Sequence, residues 1–163
     1  MLKIENLTKV YDDGTRALDG VTFNVPDGQF LIIIGLSGSG KSTLLRCINR
    51  LIEPTGGPVL WNDLDITAAP QEDLRHIRRR IGMIFQHFTL VKRSRVITNV
   101  LAGRLGYTNP ALSLFNRFSI DDMELALASL ERVGITDQAY KRADELSGGQ
   151  QLRVGIARAL MQN

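Results

Sequence analysis

Apolar and polar positions alternate over residues 2–10, with Leu2 and Ile4 set against Lys3 and Glu5. That period of two predicts a half-buried strand. Asp12-Asp13-Gly14 is a turn signal, and residues 17–25 predict a second strand with Val21, Phe23 and Val25 on one face. Pro26-Asp27-Gly28 turns the chain again. Residues 30–34, FLIII, break the alternation. A continuously apolar run reads as a strand buried on both faces, the kind found in parallel sheets covered by helices. Residues 35–42, GLSGSGKS, are a glycine-rich turn, and residues 43–52 place Leu44, Leu45, Ile48, Leu51 and Ile52 at helical spacing. Residues 54–58 are a breaker cluster, and residues 59–66 predict a short hairpin around Asn62-Asp63. Residues 71–80 predict a charged surface helix. Residues 81–85, IGMIF, predict a second short apolar strand ending at Gln86, and residues 97–101 a small helix. Residues 103–119 are loop-rich, with Asn109-Pro110 as a stop. A helix over 121–133 places Met123, Ala126, Leu127, Leu130 and Val133 on one face and ends at Gly134. A last helix over 148–160 turns Leu152, Ile156, Ala159 and Leu160 inward.

Composition narrows this picture only a little. A chain of 163 residues reads as one domain with room for a sizeable core. The net charge of +3 is too small to argue for nucleic acid. The basic runs at 75–80 and 92–95 read as solvated faces. One cysteine, Cys47, excludes an internal disulfide framework and fits a reducing compartment. The first residues run straight into strand-like alternation, so no signal peptide is expected. No apolar run approaches the ~20 residues of a spanning helix, so contact with a membrane is expected through a partner.

The chemistry gathers at the two glycine-rich turns. Gly35, Leu36, Ser37, Gly38, Ser39, Gly40, Lys41 and Ser42 fit G-x-x-x-x-G-K-[ST], with an apolar strand predicted before and a helix after. Glycines let successive backbone N–H groups turn inward as an anion nest, and the helix start adds its positive end. Lys41 supplies a charge for the β- and γ-phosphates, and Ser42 offers a hydroxyl to Mg²⁺. Tyr11 has two readings: an aromatic face for an adenine base, or a ring packed on the small sheet, which composition favours. Gln86, at the carboxyl end of a predicted strand, suits either a Mg²⁺ or water ligand or a plain loop amide. Ser147 is a good N-cap, but Gly148 and Gly149 suit a structural first turn poorly. Bare N–H groups there make a second anion site. Two such sites more than a hundred residues apart suggest one nucleotide clamped from both sides, with a head-to-tail dimer if the sites of one chain face apart.

Together GLSGSGKST, Gln86 and LSGGQ resemble the Walker A, Q-loop and signature motifs of ABC-transporter ATPase subunits. LSGGQQLRVGIARAL follows the family run, with Leu152 where Gln is common and Gly155 where Ala is common. The resemblance covers essentially the whole chain. It implies an α/β P-loop NTPase fold, with a RecA-like core, an antiparallel β-subdomain and an α-helical subdomain, incomplete at the C-terminus. Residues 1–30 and 57–67 would form the β-subdomain. Residues 31–53 and 81–86 would belong to the core, and residues 87–163 to the Q-loop, helical subdomain and signature helix. It puts Tyr11 on the adenine, and Gly35 through Thr43 on the phosphates. Ser42 and Gln86 would lie on Mg²⁺. Leu146, Ser147, Gly148, Gly149 and Gln150 would face the ATP of a partner subunit. Residues 78–107, 129–150 and the loop-rich stretch 103–119 resemble the ATPases of phosphonate importers.

The resemblance also implies a Walker B Asp-Glu and a switch His after the signature helix, and none is found in the 163 residues. His76 and His87 lie in the wrong places and read as surface residues. We therefore expect a piece of a longer ATPase, lacking its catalytic groups and leaving the 30–34 strand with unpaired edges. The implied function is ATP binding and hydrolysis by a homodimer, coupled to uptake of a small solute, with phosphonate or a related phosphorus oxyanion first. Permease subunits and a solute-binding protein would be the partners, nucleic acid would not, and the place of action would be the cytoplasmic face of the cell membrane. The alternatives are a nucleotide-binding fragment without turnover, or the ATPase of a different importer.

Overall fold

The computed structural model describes residues 1–85, 89–107 and 118–162. Its chain divides into two compact units, Met1–Ile77 and Arg78–Asn163.

The first unit is built on an antiparallel sheet in the order β2-β1-β3-β4. The strands are β1 (Leu2–Val10), β2 (Arg16–Val25), β3 (Val59–Trp61) and β4 (Leu64–Asp65). The alternation that predicts β1 sends Ile4 inward, where it is fully buried with Leu7 and Val59. Register shifts in the β1–β2 ladder lie on either side of Leu7. Gly57 is held by close approach: at φ +85, a Cβ there would lie 2.4 Å from the Asn6 carbonyl oxygen. α1 (Lys41–Ile48) buries Leu44 and Cys47, while Leu45 stays half exposed. α2 (Gln71–Arg79) starts with Glu72 and Asp73 in its first turn, where they suit the helix dipole, and buries Leu74 and Ile77.

Residues 30–34 correct the sequence reading. FLIII forms no strand, and all five side chains are exposed, Phe30 at 87% and Ile34 at 89%. Residues 81–85 likewise form no strand, and Ile84 is 46% exposed. A strand is stable only as one side of a hydrogen-bonded ladder. Among the described residues no neighbour pairs with either segment.

The second unit is helical, with α3 (Val96–Leu101), α4 (Ile120–Arg132) and α5 (Gly148–Leu160) around one apolar cluster. Val96, Val100, Ala126, Leu130, Val154, Ala157 and Met161 are all 0% exposed in it, which fixes the mutual packing of the three helices. α5 therefore buries Val154, Gly155 and Ala157, with Met161 buried at its C-cap; of the residues expected inside, Ile156, Ala159 and Leu160 are half-buried and Leu152 is 39% exposed. Gly103 permits the closest approach, since a Cβ there would lie 2.3 Å from the Arg158 carbonyl oxygen. Asn99 is 3% exposed and fully engaged: its Oδ1 accepts from the Val91 N–H at 2.7 Å, and its Nδ2 donates to the Val91 and Arg95 carbonyls. Among the described residues no helix is long and apolar enough to cross a membrane.

Candidate functional site

The phosphate-type loop sits at the start of α1. Gly38 and Gly40 take φ values of 83° and 85°, a left-handed backbone that a side chain resists. Gly40 is the N-cap and also packs tightly, because a Cβ there would lie 2.3 Å from the Ala17 carbonyl oxygen. Lys41 folds back over the loop. Its Nζ donates to the Gly35 carbonyl at 2.9 Å, the Leu36 carbonyl at 2.6 Å and Ser39 Oγ at 3.1 Å. One ammonium thus gathers three oxygen acceptors, a coordination that phosphate oxygens can replace one for one. The first turn of α1 carries no acidic residue, so no carboxylate of that turn offsets the helix's positive end. Ser37 and Ser42 are exposed, and Thr43 is half-buried.

Tyr11 stands at the loop's side. The hairpin between β1 and β2 fixes it, with the Tyr11 N–H donating to the Thr15 carbonyl and the Gly14 N–H to the Tyr11 carbonyl, each at 2.9 Å. Its hydroxyl lies 3.3 Å from Thr43 Oγ1, and Lys9 Nζ sits 5.2 Å from its ring centroid. Tyr11 is 36% exposed, so it is not swallowed by the sheet. In the same turn a hydrogen bond from the Thr15 amide holds the Asp13 carboxyl below the usual carboxylate range.

The second glycine-rich turn opens α5. Ser147 is its N-cap: Ser147 Oγ accepts from the Gln150 N–H at 3.3 Å, and Gln150 Oε1 accepts from the Ser147 N–H at 3.0 Å. This capping box uses a lone pair of the Ser147 hydroxyl and leaves its proton to donate elsewhere. Gly148 and Gly149 have no left-handed φ, and a Cβ on either would meet nothing within 4 Å. Neither backbone conformation nor packing within the chain asks for glycine there. Leu146, 6% exposed, anchors the turn in the helical core, and its carbonyl accepts from Gln151 Nε2 at 3.0 Å.

The structure thus brings together Tyr11, the loop Gly35 to Ser42, and Thr43. It holds Leu146 to Gln150 as one capped turn on the other unit. Gln86 and His87 lie outside the described residues. His76 is exposed on α2. For Mg²⁺, the described residues hold no cluster of three or more His, Cys, Asp or Glu able to grip an ion alone. The exposed Ser42 hydroxyl suits an ion held jointly with phosphate oxygens. Sequence reasoning missed Asn99, Thr89 and Arg158. Asn99 had a signal, a polar side chain in the middle of the apolar run VITNVL.

A nucleotide-type loop beside an aromatic, with a separate LSGGQ helix start, defines the class, and comparison with known proteins agrees. The description of the ABC transporter family matches residues 18–163, and the chain belongs to that family. It is 55% identical over 163 residues to the phosphonates import ATP-binding protein PhnC 2 of Synechococcus sp. (strain JA-2-3B'a(2-13)), covering 100% of this chain and 61% of that protein. It is 57% identical over 162 residues to PhnC of Alcaligenes faecalis, covering 99% of this chain and 59% of that protein. The chain therefore spans about three fifths of the length of these relatives. Among solved structures, it resembles the dimeric, post-hydrolysis ATP-binding cassette MJ0796 bound to ADP and phosphate. That match has a TM-score of 0.87 at 36% identity, over 99% of this chain and 70% of that one. The fold is that of a P-loop NTPase of the ABC ATPase kind.

Proposed function

We propose that this chain is the ATP-binding part of an ABC importer ATPase that serves uptake of phosphonate or a related phosphorus oxyanion. The observation that carries the nucleotide reading is the Lys41 ammonium, gathered on Gly35, Leu36 and Ser39 oxygens at a loop that no acid in the first turn of α1 neutralises. In this reading the β- and γ-phosphates take over the lysine's acceptors, and the loop amides and α1 start complete the cradle. Tyr11 stacks on the adenine, with Thr43 holding its hydroxyl. Ser42 and Gln86 hold Mg²⁺, which screens the phosphate charge.

Leu146, Ser147, Gly148, Gly149 and Gln150 then serve the ATP of a second copy. The Ser147 hydroxyl, which accepts from Gln150 N–H, still has a proton to donate to an oxygen, and the open space around both glycines suits a phosphate's approach to bare N–H groups. The phosphonate assignment is supported by the PhnC relatives, and it carries with it permease subunits, a solute-binding protein and a place at the cytoplasmic membrane face. Phosphate release is expected from a polypeptide of the relatives' full length, and binding without turnover from residues 1–163 alone.

The test is equilibrium ATP binding by the chain, beside Lys41→Ala. We expect the variant to bind at least about a hundredfold more weakly. Equal affinity for both would refute the nucleotide reading. Phosphonate-dependent growth of cells whose own PhnC is replaced by a polypeptide of the relatives' full length carrying this sequence tests the solute.

A further inference from the structure

Thr89 has φ 43°, a left-handed backbone in a β-branched residue. Such residues almost never rest there unless something holds them. The holder is on α5. Arg158 Nη1 donates to the Thr89 carbonyl at 3.1 Å, and Arg158 Nη2 donates to Thr89 Oγ1 at 3.1 Å. The fork geometry of a guanidinium fits two acceptors on one residue.

From Thr89 the chain enters a closed path of hydrogen bonds. Asn99 fixes Val91 through both its N–H and its carbonyl. The next residues then lie antiparallel to the stretch before Ser147. The Asp144 N–H donates to the Lys92 carbonyl at 3.0 Å, and the Ala143 N–H to the Ser94 carbonyl at 3.0 Å. The Val96 N–H donates to the Lys141 carbonyl at 2.9 Å, and Arg95 pairs with Arg142 in an isolated bridge. The Leu146 N–H donates to the Ala143 carbonyl, and Ser147 then caps α5, the helix that carries Arg158. The path begins and ends on one helix.

We propose that Arg158 and Thr89 form a strained clamp that positions the signature serine, Ser147, through the 91–96 and 141–146 pairing. When the guanidinium lets go, Thr89 falls to an extended backbone, the 91–96 segment shifts, and Ser147 loses its fixed place. Arg158 and Thr89 are positioning residues, and the clamp rests on the nucleotide reading only for its effect on turnover.

The experiment uses the intact protein. Arg158→Ala is expected to speed amide exchange at Val96, Ala143 and Asp144 about tenfold, while the α4 amides of Ala126 and Leu130 stay within about twofold. In a polypeptide of the relatives' full length that carries this sequence, it should lower kcat for ATP hydrolysis about tenfold with KM for ATP within about twofold. Thr89→Val, which keeps the shape and loses the acceptor hydroxyl, should move the same amides in the same direction. Thr89→Asn, which tolerates the left-handed backbone and keeps an acceptor, should restore them. If Arg158→Ala unsettles the whole unit, the two exposed-site Thr89 variants decide. Unchanged exchange at the three amides, or Thr89→Asn behaving no better than Thr89→Val, overturns the clamp. Lys41→Ala in the same assays separates the two ideas: if it still binds ATP, the nucleotide reading falls while the exchange result stands by itself.

Discussion

Two glycine-rich turns begin helices in this chain, and their glycines are there for opposite reasons. At Gly38 and Gly40 the backbone is left-handed, and Gly40 also presses on the Ala17 carbonyl. Those glycines are required by the chain's own geometry. At Gly148 and Gly149 the backbone is helical and the space above them is open. The first turn brings its own cation, Lys41, already wrapped in oxygens. The second has only a serine cap whose lone pair is used and whose proton is free. A third helix start supplies the contrast. α4 is capped by Ser119 and carries Asp121 and Asp122 in its first turn, so its N-terminal charge is answered within the chain. One turn is thus bent by its glycines around a cation, one is a capped turn whose glycines the chain itself does not require, and one is a helix start answered by its own carboxylates.

Substitutions at the three turns should separate them, and the largest effect belongs to Gly40. Gly40→Ala combines an unfavourable φ with a backbone clash and is expected to lower stability by about 2–4 kcal/mol, read by chemical denaturation. Lys41→Ala should leave folding within about 1 kcal/mol and reduce ATP affinity about a hundredfold, close to 2.7 kcal/mol, read by calorimetry. At the second turn the sign reverses. Gly148→Ala should raise the melting temperature, by about 0.5–1 kcal/mol of stability, because Ala is the better helix residue and nothing stands in its way. The same variant should lose ATP-dependent dimerisation, measured by light scattering. A destabilised Gly148→Ala would erase the distinction between the turns.

The smallest effect concerns the third turn and pH. Burial alone would raise the Asp122 carboxyl, but the hydrogen bond from Arg104, at 2.8 Å, with hydrogen bonding by Ser119 and the Arg104 charge, outweighs it and holds the carboxyl below its usual range. A depressed folded value means that this stabilisation is complete above the unfolded carboxylate pKa of about 3.9 and fades as pH falls through the folded value. Asp122→Asn should therefore cost about 0.5–1 kcal/mol at neutral pH and flatten the acid limb of the stability curve below about pH 4.

Much of this was legible in the residues. β1, the β3–β4 hairpin, α2 and α5 fall where periodicity and turn chemistry place them, because each is decided by local pattern or by a neighbour close in sequence. The apolar runs 30–34 and 81–85 predict strands that do not form, since an apolar run records a preference for burial while a strand needs a partner. The buried face of α5 differs from the periodic one for a related reason. The helix carries apolar residues on more than one side, and only the packing of α3 and α4 selects Val154, Ala157 and Met161 over Leu152. At the site, the phosphate-type loop and the capped signature turn were visible as motifs because glycine and serine there obey rules of backbone and capping. Arg158 and Thr89 were invisible: their meeting spans sixty-nine positions and depends on a backbone angle that no side-chain pattern announces.

The five exposed side chains of FLIII have a practical consequence for the isolated chain. Apolar groups beside unpaired backbone donors and acceptors form a sticky edge, and two molecules that meet there can satisfy each other. Such an edge favours association over long storage, and the tendency is expected to grow with concentration and with sulfate, as light scattering would show.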